Sequence, residues 1–283
     1  MERGGTHMSR LCKRHADSEA AMPSRFEPAE LVDLASQFRL TFDAAQTAAD
    51  SLPCADLLAS VTCAAYLDRL SETLQSPSRL VTASMFSKRY VFLSAVPVLY
   101  ALSAFDKGLQ FSLENTALEQ PADKSGGWSP GLRVAKWRVT EPAADSRDAW
   151  RSEIIASLFA KSLAPLWRVL AEVADIPLAI LWENTAVRLF SLYEKRLAQL
   201  GCAQTRERAE RDFLYVVADA SGTCFGEAKN PLLRFYRPQS AHPASGKPVR
   251  IRQTCCFYYR VSADGSFCTN CPKAAPAARE RWI

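Results

Sequence analysis

The sequence predicts a mainly α fold (α+β), in which a helical body carries a small antiparallel β element and a C-terminal cysteine hairpin. Three observations lead there. Apolar residues recur at three- and four-residue spacings through most of the first two-thirds of the chain. Between Leu109 and Val139 the pattern switches to alternation. Four of the nine cysteines crowd into the short stretch from Cys255 to Cys271.

Taken in order, residues 29–42 read as a short amphipathic helix. Residues 55–75 place Leu57, Leu58, Val61, Ala64, Ala65, Leu67, Leu70 and Leu74 on one helical face. Ser76-Pro77 offers a capping hydroxyl before a proline at the first helical position, so a helix opens there and runs to about Phe105, bent near Pro97 and ended by Gly108. Residues 109–113 and 132–139 alternate as strands across the loop 121–131. Asp145-Ser146 caps a long helix reaching about Ala174, Ile176-Pro177 opens another that Gly201 stops, and a last helix spans 205–219. Residues 249–254 alternate as a strand before the paired cysteines. Residues 257–261 then form the first arm of a hairpin with its turn at 263–266, and this hairpin gathers the four sulfurs. The expected organisation is a tail (1–25), a mostly helical body (26–246) and a cysteine-bearing segment (247–283) packed on the same domain.

With 283 residues, 48% hydrophobic and 23% charged, the chain can bury a substantial core, and disorder as an overall state is excluded. The first 25 residues hold no run framed like a signal peptide. The longest apolar stretch, 91–105, is too short to cross a bilayer and contains Pro97. A cytoplasmic protein without a transmembrane segment is therefore expected. An odd cysteine count without an export signal argues for a metal site in a reducing compartment rather than a disulfide framework. Cys12, Cys54, Cys63, Cys202 and Cys224 are scattered and read as small buried hydrophobes. The net charge of +5 is concentrated: residues 247–283 hold seven bases against Asp264 and Glu280, while the rest of the chain balances.

The chemistry follows from the cysteine spacing. A Cys-x-x-Cys turn, here Cys268-Thr-Asn-Cys271, lets two sulfurs reach one metal and can aim backbone N–H groups at them. Adjacent Cys255 and Cys256 diverge in extended chain, so one ion takes both only if the backbone bends sharply. A binuclear centre relaxes that demand. The spacing thus favours iron–sulfur over structural zinc, with a regulatory disulfide pair third.

Cys-Cys, eleven residues, then Cys-x-x-Cys-Pro near the C-terminus resembles the FhuF-like ferric-siderophore reductases. Arg250-Ile-Arg-Gln-Thr254, Phe257-Tyr-Tyr259 and Asn230-Pro-Leu232 are similar to that family's pattern. Leu181-Trp-Glu-Asn184 resembles its Leu-Trp-Gly-Asn segment, with Glu183 where glycine is usual. The resemblance implies a [2Fe–2S] cluster held by Cys255, Cys256, Cys268 and Cys271, and one-electron reduction of a ferric siderophore, hydroxamate type, to release Fe(II). It also implies an electron-donor protein such as a ferredoxin, and a substrate site drawing on Trp182, Asn184, Arg188, Arg252 and Arg260. The alternative is a siderophore-binding or biosynthesis-related protein with structural zinc at the same cysteines.

Other chemistries find little support. The three histidines are His7 and His15 in the tail and His242 in a proline-rich loop, which leaves no credible nucleophile–base pair. No glycine-rich nucleotide loop is present, so electrons are expected from another protein. The basic C-terminus has few flanking aromatics, and nucleic acid is not expected as a partner.

Overall fold

A computed structural model describes residues 24–42, 51–120, 128–241 and 246–274. It is mainly α with small sheets, as the sequence predicts. Most of the tail 1–25, the three histidines, most of the loop 121–131, and Arg279 and Arg281 lie outside the described residues.

Helix α1 (Pro28–Phe38) ends earlier than the periodicity implies. Arg39 turns left-handed at φ 58°, and the chain enters strand β1 (Leu40–Thr41). Strand β2 (Ser51–Pro53) leads into a 3-10 turn, Cys54–Leu58, and then helix α2 (Ser60–Leu74). The extended Ala59 between turn and helix breaks the expected single periodicity. Leu67 and Leu70 face the core, but Leu58 and Val61 are exposed.

Helix α3 (Arg79–Leu93) is capped by Ser78, whose hydroxyl accepts from the Val81 N–H at 3.4 Å, rather than by Ser76. The expected bend near Pro97 falls at Ser94, between α3 and α4 (Ala95–Tyr100). A proline ring collides with the carbonyl four residues back, here Leu93, so the break precedes the proline itself. A π turn, Ala101–Phe105, closes the run at Asp106.

The alternating region gives four short strands where two were expected: β3 (Gly108–Leu109), β4 (Thr116–Glu119), β5 (Gly131–Val134) and β6 (Val139–Thr140). Lys136, at φ 48°, splits the 132–139 run. One sheet has the order β1-β5-β4-β2, and β3 pairs with β6. The pairings are antiparallel except β1 with β5, which is parallel.

Helix α5 (Arg147–Leu158) follows Ser146 as predicted and continues through a π turn, Phe159–Leu163, into α6 (Ala164–Ala174). By length and composition, residues 147–174 could cross a bilayer, yet half of the most apolar window is buried within the fold. Helix α7 (Leu178–Ser191) starts after Pro177, and α8 (Ala203–Leu214) ends the helical body. Phe38, Tyr90, Leu102, Phe159, Trp167 and Phe225 are among the fully buried side chains of one continuous apolar core. Within it α3 packs along α7, and that pair forms the platform for the C-terminal segment.

Candidate metal centre

The C-terminal segment departs from the predicted hairpin. Only Pro248–Val249 (strand β8) pairs as strand, with β7 (Ser240–Ala241). The remainder of 249–254 makes no ladder because a side chain takes its donors. The Glu183 carboxylate on α7 accepts from the Gln253 N–H at 2.6 Å, from the Thr254 N–H at 2.8 Å and from the Thr254 hydroxyl. After the cysteine pair, Phe257 adopts φ 59°, a left-handed conformation unusual for a bulky residue. It turns the chain immediately after the pair and brings the Phe257 N–H to 3.4 Å from the Cys255 sulfur. Residues 258–260 then form a 3-10 turn, not a hairpin arm. The predicted turn at 263–266 is present, with Gly265 at φ 68° and the Asp264 carboxylate accepting from the Ser266 N–H at 3.0 Å.

The second pair is held from both sides. The Cys271 N–H donates to the Cys268 carbonyl at 3.0 Å, closing the Cys-x-x-Cys turn, and the Arg252 N–H donates to the Asn270 carbonyl at 3.0 Å. Without strands, these loop bonds bring the pairs together: the Sγ atoms of Cys256 and Cys268 lie 3.5 Å apart. Two thiolates on one tetrahedral metal, with bonds of about 2.3 Å, sit at nearly this separation. The contact crosses the two pairs rather than joining cysteines within one pair. Among the described residues, no three His, Cys, Asp or Glu side chains converge on one point. Cys256 and Cys271 are buried, whereas Cys255 and Cys268 are half-buried.

Two helices present polar groups to this segment. From α3, the Ser84 hydroxyl donates to the Cys256 carbonyl at 2.8 Å, and Lys88 Nζ reaches the Cys256 sulfur at 3.6 Å. From α7, Asn184 donates through Nδ2 to the Ser84 carbonyl and hydroxyl and to the Ser87 hydroxyl, and accepts through Oδ1 from Arg252 at 2.7 Å. Arg252 Nη2 also lies 3.6 Å from the Glu183 carboxylate, with both side chains almost wholly out of water.

These groups polarise the thiols. The Cys256 thiol is held well below the ordinary thiol range, first by its hydrogen bond with Cys268 and then by Lys88 and Arg252, against the cost of burial. Sharing that proton pushes Cys268 up, and burial raises Cys255. Burial lowers Lys88, while Cys256 and Cys268 oppose that shift. By contrast Cys54 and Cys63, deep in the helical body, are pushed up to about 11 by burial. They stay protonated and make poor ligands.

The side chains expected to line a substrate site divide sharply. Trp182, Asn184 and Arg252 lie inside the protein. Trp182 packs edge-on to Phe225 in the core, and Asn184 and Arg252 bond to protein groups instead of facing an open pocket. Arg188 is half-buried, with Nε on the Lys88 carbonyl at 3.1 Å, and Arg260 is exposed. Sequence reasoning missed Ser84, Lys88 and Glu183. Glu183 stood out only as a departure from a glycine-containing pattern; Ser84 and Lys88 carried no local signal.

An all-sulfur donor set held beside the α3–α7 platform fits an iron–sulfur group. The fold and site therefore define a helical iron–sulfur protein with a C-terminal cluster-binding segment. Residues 252–273, which include all four cysteines, match the family described as FhuF 2Fe-2S C-terminal domain. Residues 84–242 match the family described as Ferric iron reductase FhuF-like transporter. That match covers more than half of the chain: the protein belongs to the FhuF-like ferric iron reductase family, and its cofactor is a [2Fe–2S] cluster. No curated protein matches the chain.

Proposed function

We propose that the protein is a cytoplasmic ferric-siderophore reductase that takes single electrons from a donor protein such as a ferredoxin. Its substrate is the Fe(III) complex of a hydroxamate-type siderophore, reduced by one electron to Fe(II). Cys255, Cys256, Cys268 and Cys271 are the proposed ligands of the [2Fe–2S] group, which supplies a one-electron couple when bound.

The observation that carries this reading is the asymmetry of the four cysteines. Cys256 and Cys271 are buried, while Cys255 and Cys268 are half-buried in the same segment as exposed Tyr258 and Phe267. A site so placed can exchange an electron at the surface without direct coordination of the substrate iron. The substrate supplies its own driving force for release. Hard oxygens hold Fe(III) tightly, and Fe(II), larger and of lower charge, is held weakly and exchanges fast. No general acid or base is required. Arg188 and Arg260 are the proposed substrate contacts, because they are the two of the five expected side chains that are not buried. Trp182, Asn184 and Arg252 support the site from within.

Anaerobically purified protein should be brown, with matched iron and sulfide. After reduction it should convert ferric hydroxamates to Fe(II), trapped by a ferrous chelator, in one-electron steps. It should not oxidise NADPH unaided. A colourless protein, or a loaded protein inert toward every ferric siderophore tried, would overturn the reading.

A further inference from the structure

Lys88 stands one helical turn beyond Ser84 on α3, so both project from one face toward the cysteine segment. Its Nζ donates to the Cys256 sulfur at 3.6 Å and lies 5.0 Å from the centre of the Tyr258 ring. Among the described residues, that sulfur is the one hydrogen-bond partner of this ammonium, and no carboxylate pairs with it. The neighbouring arginines each have another partner. Arg252 sits against Glu183 at 3.6 Å and Arg250 against Glu194 at 2.8 Å. Arg188 donates to a carbonyl and lies over the Phe92 ring.

A largely desolvated ammonium without a carboxylate is costly unless some other negative group faces it. Here the negative group is sulfur. We propose that Lys88 is the cluster-facing cation of this protein, and that its N–H contact and charge at Cys256 set how readily the centre accepts an electron. Cations and N–H donors at ligand sulfurs favour the more negative, reduced state. A four-thiolate [2Fe–2S] centre is −2 when oxidised and −3 when reduced, and the added electron comes from the donor protein. No bond to Lys88 forms or breaks. The inference rests on Cys256 being a ligand, as proposed above.

The test compares the midpoint potentials of wild-type protein, K88M, K88Q and K88R, each loaded with its cluster, by an EPR-monitored titration at low and high salt. K88M and K88Q should bind the electron at least tenfold less favourably, which is ~59 mV lower for one electron. K88R should stay near wild type. The shift should persist at high salt, because salt screens a direct, partly buried N–H···S contact far less than an exposed, distant charge. Should K88M fail to load, K88Q and K88R decide the matter. Loaded variants with the wild-type potential overturn the role of Lys88 alone. Wild-type protein without a [2Fe–2S] signal overturns the ligand assignment and this inference with it.

Discussion

The helical body and the cysteine segment are held together by different physics. Between Phe26 and Phe235 the chain forms regular helices and short sheets around one apolar core, and side chains such as Leu102 and Trp167 are fully buried. Between Arg250 and Lys273 it forms only turns, and Cys256, Cys271 and Arg252 are its buried side chains. Polar groups from α3 and α7 take the place of a core: Ser84 on a carbonyl, Glu183 on two N–H groups, and Asn184 on Arg252. Burial of apolar area stabilises the body at roughly 25 cal/mol per Å². Net hydrogen bonds contribute only about 0.5–1.5 kcal/mol each, but an abandoned buried partner costs more. The body should therefore tolerate change additively, whereas the segment should fail at single residues and depend on its metal.

The largest effect tests that contrast directly. Serine at Cys255, Cys256, Cys268 or Cys271 should abolish or badly distort the visible spectrum, while serine at Cys54 or Cys63 should leave it intact. Burial keeps the latter two thiols protonated, and neither faces the segment. Stripping the metal with chelator and reductant should open residues 248–274 to protease while the far-UV signal of the helices persists. A C268S protein with a normal spectrum would sink the ligand assignment.

A comparable effect in free energy, with opposite distribution, is expected from one substitution in each region. Glu183→Ala would strand the buried Arg252 guanidinium together with the N–H groups of Gln253 and Thr254. Breaking a buried pair from one side costs about 3–5 kcal/mol. That loss should appear as poor cluster loading and local proteolysis, with a lesser effect in Glu183→Gln. Leu102→Ala should cost about 2–5 kcal/mol through lost burial and a cavity. It should lower the melting temperature of the whole protein without altering the spectrum of what stays folded. Asn184→Ala should follow Glu183→Ala at a smaller size, about 1–3 kcal/mol, by leaving Ser84 and Arg252 short of a partner.

The same division explains what could be read from the sequence. Helical periodicity and the Ser146 start are local signals, and α5, α7 and α8 lie close to where those signals put them. The four cysteines were legible because ligation needs a particular residue type at a particular spacing. The expected strand at 249–254 failed because its donors go to Glu183, about seventy residues away, and the hairpin arm failed at the left-handed Phe257. Arg250 and Arg252 look like the charges nearest the cysteines along the chain, yet each faces a carboxylate. The cation that touches sulfur comes from residue 88, and no local pattern encodes a contact across that separation.

The smallest predicted effect belongs to Arg260, and it separates buried from exposed charge at the same site. Arg260 is exposed, donates through Nε to the Tyr259 hydroxyl at 3.3 Å, and shares that hydroxyl with Lys273 at 3.2 Å. Both cations hold the Tyr259 phenol below its ordinary range, with the Arg260 hydrogen bond the largest cause. Lys273 also acts on the half-buried Cys255, so the pair puts positive charge on that side of the segment. Exposed charge acts over a Debye length of about 10 Å at 0.1 M salt and little beyond it. Arg260→Gln should therefore scarcely move the cluster potential, but it should slow electron uptake from an acidic ferredoxin, and reduction of an anionic ferric siderophore, a few-fold at low ionic strength. At about 1 M salt the variant and wild type should react alike. A stopped-flow salt series on loaded protein measures this against the K88M variant, whose deficit should be one of potential and should survive high salt. If Arg260→Gln shifts the potential as K88M does, this exposed charge acts on the cluster itself and the distinction between buried and exposed charge fails here. If it changes neither rate nor potential, Arg260 is ordinary surface charge, and the acidic partner docks elsewhere.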